Sequence, residues 1–231
     1  ETGEVVRVVD VYSGLEDPGR PIPPESTAIH GITDELVAGK RIDDERVAAV
    51  LDGVSIVIAH NAAFDRPFLE RRLPIFERLP WACSFAQMDW KAEGFGAGGL
   101  EYLAYRSGFF YDAHRADIDC RALLEVIHRP LPGSGKRPLT ILLESLARTD
   151  WRVYAVGAAF ETKDILKARG YRWDAGQKLW HQTLPESEMP AEIEWLKEAV
   201  YKRSKVTLDF EGLDALVRFS GRAGKRGRKE V

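Results

Sequence analysis

The sequence predicts an α/β fold followed by a smaller α+β unit, and three features indicate this. Residues 4–12 are rich in β-branched side chains, which favour a strand. Residues 54–59 form an uninterrupted apolar run between Gly53 and His60, which fits a strand buried on both faces. Residues 130–138 are dense in proline and glycine, which suits a connector between two units.

Helices are predicted around these two strands. A proline-rich loop at 18–24 precedes residues 25–37, which look helical in two short pieces, and Thr33 is expected to cap the second piece. A short strand and the start of a helix are expected within 81–90. Apolar residues at helical spacing predict further helices at 43–51, 62–73, 100–107 and 114–128.

The part of the chain after the connector combines short strands with helices. Residues 139–148 predict a helix that could pack on either unit, and residues 171–181 predict a hairpin with its turn at 173–176. The basic, glycine-containing end of the chain is expected to be disordered. A strand at 151–157 and helices at 163–169 and 192–203 are also predicted in this part of the chain. The expected domains are 1–129, a linker at 130–138, 139–220 and a tail at 221–231.

Composition indicates a globular protein rather than a membrane protein. Hydrophobic residues make up 45% and charged residues 30% of the 231 residues, and no apolar run approaches the ~20 residues of a membrane helix. Cys83 and Cys120 lie far apart in no metal-ligand pattern, which predicts buried thiols in a reducing compartment. We therefore expect a cytoplasmic protein without a membrane partner.

Charge is distributed unevenly along the chain. Of the 33 basic and 36 acidic residues, 17 and 23 lie in residues 1–149, a balance of −6. The remaining 16 and 13 lie in residues 150–231, a balance of +3. The acidic first part could therefore bind cations, and the basic second part could bind a polyanion. Ordinary charged residues on a solvated surface explain the difference about as well.

Two short motifs contain the candidate catalytic residues. The first, His-Asn-Ala-Ala-Phe-Asp, follows the strand at 54–59 and ends at Asp65 in the first turn of a helix. The second, His-Arg-Ala-Asp-Ile-Asp, runs from His114 to Asp119. Carboxylates that converge beside an imidazole suit hard divalent cations and a water to be deprotonated. Asp65 by itself could equally satisfy the free backbone donors at the start of its helix.

The spacing of the second motif separates the roles of its residues. Five residues correspond to a rotation of ~140° along a helix, so His114 is predicted in the loop before the helix while Asp119 points inward. A loop histidine can swing and titrate near neutrality. Asp117 competes with Asp119, but Asp119 lies nearer the apolar side of the helix. A surface histidine and a solvated helix acid remain the alternative.

Three other features each allow two explanations. The glycine in residues 30–33, His-Gly-Ile-Thr, either breaks a helix or lets a ligand approach the backbone closely. Arg115 either contacts phosphate or lies on the surface. Trp173 and Trp180, with basic neighbours, either stack on bases or pack a small hairpin.

Together the motifs resemble those of the DEDDh 3′–5′ exonucleases, most of all relatives of the proofreading epsilon subunit of bacterial DNA polymerase III. The first segment of this resemblance lies within residues 18–37 and reads Pro-Gly-Arg-Pro-Ile-Pro-Pro-Glu, then Ile-His-Gly-Ile-Thr-Asp-Glu-Leu-Val. The other two are the motifs that end at Asp65 and Asp119. The resemblance covers roughly residues 1–128.

The resemblance implies a ribonuclease H-like fold with a central mixed β-sheet. It also implies four acids, two divalent metal ions (Mg²⁺ or Mn²⁺) and a histidine general base. Carried over by position, Asp65 and Asp119 are two of the acids and metal ligands, and His114 is the base. Ile32 and Thr33 lie where family members contact the terminal nucleotide. Further candidates for substrate binding are His30, Asn61, Phe64 and Arg115.

One part of the family pattern is not found in the chain. The first motif, Asp-x-Glu on the first strand, would precede the strand at 4–12, and Asp10 lies on the wrong strand. We therefore expect a sheet without its first strand, in either a fragment or a form that lacks two metal ligands. This polypeptide is predicted to have little or no nuclease activity, whereas its parent protein would be active.

For the parent protein, the resemblance implies hydrolysis at the 3′ end of single-stranded DNA with release of nucleoside 5′-monophosphates. RNA is the alternative substrate, and a DNA polymerase is a partner that the resemblance suggests. The alternative function is a non-catalytic module that binds nucleic acid or a polymerase. The C-terminal part resembles small extensions of some bacterial exonucleases, for which nucleic-acid contact and partner docking are both open.

Overall fold

The computed structural model describes residues 2–231, and the chain divides into two compact units between Ser145 and Leu146. Helices alternate with short strands in the first unit, which confirms the predicted α/β class. No helix within residues 2–231 is long and apolar enough to cross a membrane. The elements of the first unit are α1 (Pro24–His30), α2 (Asp34–Val37), α3 (Asp44–Leu51), β1 (Val57–Ala59), α4 (Ala62–Arg72), β2 (Trp81–Cys83), α5 (Leu100–Arg106), α6 (Ala116–His128) and α7 (Pro138–Glu144).

Strands β1 and β2 run parallel, so the residues that follow them lie at the same edge of the sheet. Val57 is opposite Trp81, and Ala59 is opposite Cys83. β2 is buried throughout, whereas β1 is only half-buried, so the expectation that residues 54–59 are buried on both faces was wrong. The helix start expected before residue 90 is a series of turns.

Residues 4–12 are irregular, which contradicts the strand predicted there. Val6 and Val9 are 89% and 80% exposed. A strand needs a neighbour that satisfies its backbone groups, and β-branched composition alone does not supply one. The segment is instead held by single contacts, such as the hydrogen bond from the Val5 N–H to His128 Nδ1 at 3.2 Å.

The core of the first unit collects apolar side chains from α5, α6 and α7. Leu103 and Leu142 are fully buried within it, and Leu139 and Ile141 pack against it. Because α7 buries its apolar side in this core, the boundary between the units follows α7 instead of lying in the predicted linker at 130–138.

The second unit is an antiparallel sheet covered by helices, in agreement with the predicted α+β class. Its strands lie in the order β4-β5-β3-β6-β7. Val153 and Leu208 from the sheet pack with Leu166 and Leu196 from the helices. The elements are β3 (Asp150–Tyr154), α8 (Lys163–Arg169), β4 (Arg172–Asp174), β5 (Leu179–Pro185), α9 (Met189–Trp195), a π-helical continuation (Leu196–Tyr201), β6 (Thr207–Leu213) and β7 (Lys225–Glu230).

Two predictions for the second unit were wrong. Residues 221–231 were expected to be disordered, but β7 lies among them and pairs with β6 from Lys225 to Glu230. Backbone pairing satisfies the strand although its side chains are polar. The hairpin turn was placed too early, because Trp173 pairs with Trp180 inside the strands and the turn follows Asp174.

Candidate functional site

A polar turn after β1 positions the first motif. Asn61 adopts the left-handed conformation (φ 74°, ψ 46°), which asparagine tolerates better than most residues, and its carbonyl accepts the Phe64 N–H at 2.8 Å. The Ala62 N–H donates to Cys83 Sγ at 3.3 Å, which ties the start of α4 to β2. Asp65 therefore lies in the first turn of α4, as predicted.

Asp65 and Asp119 lie close enough for their charges to interact, and we call these two residues the acid pair. Burial raises the pKa of Asp65, and the charge of Asp119 raises it further, against the effect of the residue's own backbone N–H. Asp119 lies in the first turn of α6. Neither carboxylate forms an ion pair with another of residues 2–231. Two mutually repelling acids without a cationic partner form a donor set that a divalent cation would stabilise.

Tyr111 lies near one member of the acid pair and was not found by sequence reasoning. Burial raises the pKa of Tyr111 well above its usual value, and the nearby charge of Asp119 acts in the same direction. The phenol therefore stays protonated beside Asp119. Because Tyr111 precedes Asp119 by eight residues in an irregular segment, no sequence period connects the two.

His60 is a second residue beside the acid pair that sequence reasoning did not assign to the site. Its Nδ1 lies 2.9 Å from Ser84 Oγ, and its ring meets Phe85 edge to face with centroids 5.4 Å apart. Burial lowers the pKa of His60, although the Gly98 backbone and the charge of Asp119 oppose this. The parallel ends of β1 and β2 produce this contact, since His60 and Ser84 directly follow Ala59 and Cys83.

His114 lies in the loop before α6, as its spacing from Asp119 predicted. It is exposed and has a left-handed backbone (φ 73°), which is uncommon for a residue other than glycine. Its side chain forms no hydrogen bond or ion pair with another residue in the described part of the chain. His114 therefore lies shortly before the helix that carries Asp119, and it forms no hydrogen bond to the acid pair.

Arg115 contributes to the second motif mainly through its backbone. Its carbonyl accepts the Asp119 N–H at 2.8 Å, which sets the first turn of α6. Its guanidinium lies 3.9 Å from Asp117 in a loose surface pair, so the predicted phosphate contact of Arg115 stays a prediction.

The segment 30–33 is organised by its own hydrogen bonds. The Ile32 N–H donates to His30 Nδ1 at 3.0 Å, and Thr33 Oγ1 accepts the Leu36 N–H at 3.2 Å. The second bond confirms Thr33 as the N-cap of α2. These contacts explain the break between α1 and α2, and the proposed nucleotide contacts of the segment remain a prediction.

Exposed groups surround the first motif. Phe64 is 63% exposed and lies against Phe68, with ring centroids 5.3 Å apart. Cys120, directly after Asp119, is exposed as well, so the prediction of two buried thiols holds only for Cys83. Ala122, Leu123, Val126 and Ile127 form the buried face of α6 and leave Cys120 outside it.

The oxygen atoms of the acid pair are suitable ligands for a hard divalent cation, but two carboxylates are too few to fill its coordination sphere. Carboxylate oxygens are the ligands that Mg²⁺ and Mn²⁺ prefer. Among residues 2–231, however, no group of three or more histidine, cysteine, aspartate or glutamate side chains is arranged to hold a metal. The pair therefore suits a cation that keeps several water ligands.

Comparison with known proteins gives a family match over the same region. The family model RNase_T, described as an exonuclease, matches residues 2–127, which is more than half of the chain. The match includes the acid pair, His114 and residues 30–33. It agrees with the resemblance and with the fold class expected from the motifs.

Curated relatives match the same part of the chain. The DNA polymerase III subunit epsilon-like protein of Rhodobacter capsulatus is 34% identical over 148 residues, which cover 57% of this chain and 20% of that protein. The DNA polymerase III subunit epsilon of Treponema pallidum is 30% identical over 128 residues, covering 52% of this chain and 60% of that protein. The chain therefore spans less than two thirds of either relative.

A solved structure of exonuclease X in complex with 5′ overhanging duplex DNA is also similar. The identity is 25% and the TM-score is 0.42, with 59% of this chain and 86% of that chain covered.

Proposed function

This chain belongs to the RNase_T exonuclease family, and from this premise we propose that it carries the catalytic residues of a metal-dependent 3′–5′ exonuclease. The reaction would hydrolyse phosphodiester bonds at the 3′ end of DNA and release nucleoside 5′-monophosphates. The observation that supports the proposal is the acid pair, because the carboxylates of two motifs far apart in sequence interact electrostatically inside the region that matches the family.

Each residue of the site has a defined task in this reaction. Asp65 and Asp119 would hold Mg²⁺ or Mn²⁺ through their carboxylate oxygens, with the protonated Tyr111 nearby. When bound, the metal ions supply positive charge that stabilises the scissile phosphate and the leaving oxygen. His114 takes the proton from the attacking water, and its exposed place before α6 gives the imidazole room to reach the substrate.

The names of the relatives support DNA as the substrate. Two of them are an epsilon subunit of DNA polymerase III and an epsilon-like protein. We propose that this chain likewise acts on a single-stranded DNA 3′ end and associates with a polymerase. RNA remains the alternative, since a protein distinguishes the two by the 2′-hydroxyl of the nucleotides. Location in the cytoplasm, which the two unpaired thiols favour, also stays a prediction.

The activity of residues 1–231 alone is proposed to be low. Two divalent ions take about six oxygen ligands each, and the acid pair supplies only part of that number. The same shortage favours the second candidate function, a module that binds nucleic acid or a polymerase without cleaving. The absence of a larger ligand group among residues 2–231 is the observation behind this alternative.

A cleavage assay distinguishes the two functions. Purified chain at high concentration is incubated with single-stranded DNA labelled at its 5′ end, with Mn²⁺ or with EDTA. The exonuclease proposal predicts slow shortening from the 3′ end, nucleoside 5′-monophosphate as product, and no shortening with EDTA. Asp65→Asn should abolish the reaction, while Asp117→Asn, the matched change at an acid of the second motif outside the acid pair, should not.

Three results would contradict the exonuclease proposal. Internal cuts or 5′ trimming would show a different reaction. Equal rates for Asp65→Asn and the unchanged chain would show a contaminating nuclease. DNA binding without any cleavage, at the same strength with and without Mn²⁺, would favour the non-catalytic module.

A further inference from the structure

Strand β7 forms an exposed and strongly basic edge of the sheet in the second unit. All of its residues from Lys225 to Glu230 are exposed, and it pairs on one side only, with β6. Residues 222–229 contain five basic residues and no acidic one. Lys225 and Lys229 form no ion pair with another of residues 2–231.

The strand register places arginines at both edges of one sheet face. The face opposite the helices carries two cross-strand rows, and strands about 4.8 Å apart make the longer row about 19 Å wide. That row crosses every strand in the order Arg172, His181, Tyr154, Asp209 and Arg228. The neighbouring row contains Thr183, Arg152, Glu211 and Arg226.

A cavity opens on this face beside β7. Arg226 and Arg228 line it together with Tyr154, Gln177 and Asp209. The Arg226 guanidinium lies 5.7 Å from the centre of the Tyr154 ring, and its Nη2 donates to Gln177 Oε1 at 3.2 Å. Arg228 donates through two nitrogens to Asp209, one of them at 2.9 Å. Both guanidinium groups are therefore held in place at the cavity.

Gly227 lies between these two arginines and also lines the cavity. A Cβ atom added there would meet no heavy atom within 4 Å, so packing inside the chain does not require glycine. Glycine weakens a strand interior, and in a strand it often marks the close approach of a ligand or another backbone. The position is open to a ligand that touches the backbone of β7.

Protection of a sheet edge explains only part of this arrangement. Lysines on an edge strand discourage pairing with other chains, which accounts for Lys225 and Lys229. Edge protection does not require a cavity, fixed guanidinium groups or a glycine without a packing role. A ligand that carries both phosphates and flat apolar groups accounts for all of these features.

We propose that β7 and the adjoining cavity bind the backbone of single-stranded nucleic acid. Arg228 on the cavity face contacts phosphate, as do Lys225 and Lys229, which alternate with the arginines along the open edge of β7. One base packs against the Arg226 guanidinium, which lies over Tyr154. A single strand fits this surface because its bases are free to stack, whereas those of a duplex are paired. Binding here needs neither a metal nor the acid pair, so it is measured in EDTA and does not depend on catalysis.

The test measures binding of the full chain to a fluorescent oligodeoxythymidine of about 12 nucleotides, within the usual site sizes for such proteins. Anisotropy is recorded in EDTA at several salt concentrations. Lys225→Gln together with Lys229→Gln is expected to reduce the slope of log affinity against log salt by about 1.4, or about 0.7 per lost phosphate contact.

The matched control changes two exposed lysines of α8, Lys163→Gln and Lys167→Gln, which alters net charge equally. α8 packs through Leu166 on the other face of the sheet. The control should leave the slope unchanged. Equal loss in both double variants would show that only net charge matters and would overturn the proposal, as would an unchanged slope in the β7 variant.

Arg226→Lys tests the cavity separately from the charges. Lysine keeps the positive charge but lacks the planar guanidinium that lies over Tyr154, and the position is exposed, so the stability of the chain should be nearly unchanged. Binding of the single strand should weaken about fivefold or more, the scale of one lost base stack. Unchanged affinity would exclude the cavity from the interface, and equal affinity for a duplex of the same length would contradict the single-strand assignment.

Discussion

Asp65 is the residue of the candidate site whose surroundings most clearly oppose its charge. Its pKa in the folded chain is raised by burial and by Asp119. The group therefore favours folding most at low pH, and this contribution is lost as pH rises from the ordinary value through the raised folded value. At neutral pH, Asp65→Asn should increase the free energy of unfolding by about 0.5–2 kcal/mol, as measured by urea denaturation.

Asp117→Asn is the control for this change in stability. Asp117 forms only the loose surface pair with Arg115, so its replacement should alter the free energy of unfolding by less than about 0.5 kcal/mol. If Asp65→Asn proves less stable than the unchanged chain, the two carboxylates do not repel one another in the folded state.

His114→Ala tests the proposed general base. The variant should slow Mn²⁺-dependent trimming by about 100-fold, the usual contribution of such a residue. Folding should be unaffected, because the side chain is exposed and forms no hydrogen bond or ion pair within residues 2–231. His128→Ala, which removes the imidazole that bonds the Val5 N–H, serves as the matched histidine control. A decrease of less than about threefold would remove His114 from this role.

Sequence motifs identified two residues of the candidate site and missed two of their neighbours. Asp65 and Asp119 follow from strand ends and helix starts, which are local patterns. Tyr111 and His60 were missed because their contacts, to Asp119 and to Ser84, arise only when separate segments fold together. No spacing rule in one sequence reveals such partners.

A substitution in helix α7 tests whether this helix belongs to the core of the first unit. Leu142 is fully buried in the first core, so Leu142→Ala should lower the free energy of unfolding by about 2–5 kcal/mol. Ile29→Ala, on α1 and 61% exposed, should cost less than about 1 kcal/mol. Thermal or urea unfolding measures both. A loss below about 1 kcal/mol for Leu142→Ala would show that α7 is not part of that core.

The pairing of β3 with β6 depends on a buried carboxylate. Glu211 is 1% exposed and accepts hydrogen bonds from the Tyr154 hydroxyl, from Arg152 and from the Gly224 N–H. Burial raises the pKa of Glu211, but these bonds together lower it by more, so the net pKa lies below its usual value. Glu211 thus stabilises the fold above about pH 4.5, and this stability is lost as pH falls through the lowered folded pKa.

Glu211→Gln should therefore lower the free energy of unfolding by about 2–4 kcal/mol at neutral pH, with a smaller difference from the unchanged chain in acid. The matched change in the same strand is Asp209→Asn. Its partner Arg228 is exposed, so the loss should stay below about 1 kcal/mol. Equal losses for the two variants at every pH would show that the buried hydrogen bonds of Glu211 stabilise the chain no more than the exposed pair of Asp209 and Arg228.

The bounds of an element were predictable where its apolar side chains recur at helical spacing. Helix α8 was predicted with its observed bounds, since Leu166 and its neighbours follow helical spacing. The strand predicted at 4–12 and the disorder predicted at 221–231 were both wrong. In each case the outcome depends on backbone pairing, which residues 4–12 lack and β7 obtains from β6.

For the whole molecule, the sequence predicted the α/β first unit, the α+β second unit and the exonuclease family, because ordered motifs carry that information. It did not predict the position of the boundary between the units. Proline and glycine marked residues 130–138, but α7 beyond them packs in the first core. The excess of basic residues after residue 149 was visible, whereas its concentration on β7 required the strand register.

The proposed function depends most directly on divalent-cation binding by the acid pair. Calorimetric titration of the purified chain with Mn²⁺ tests it directly, with Asp65→Asn, Asp119→Asn and Asp117→Asn measured beside it. Mn²⁺ should bind to the unchanged chain and to Asp117→Asn, and that binding should be lost in the other two variants. Absence of binding to the unchanged chain, or binding that survives both acid-pair substitutions, would contradict the proposal.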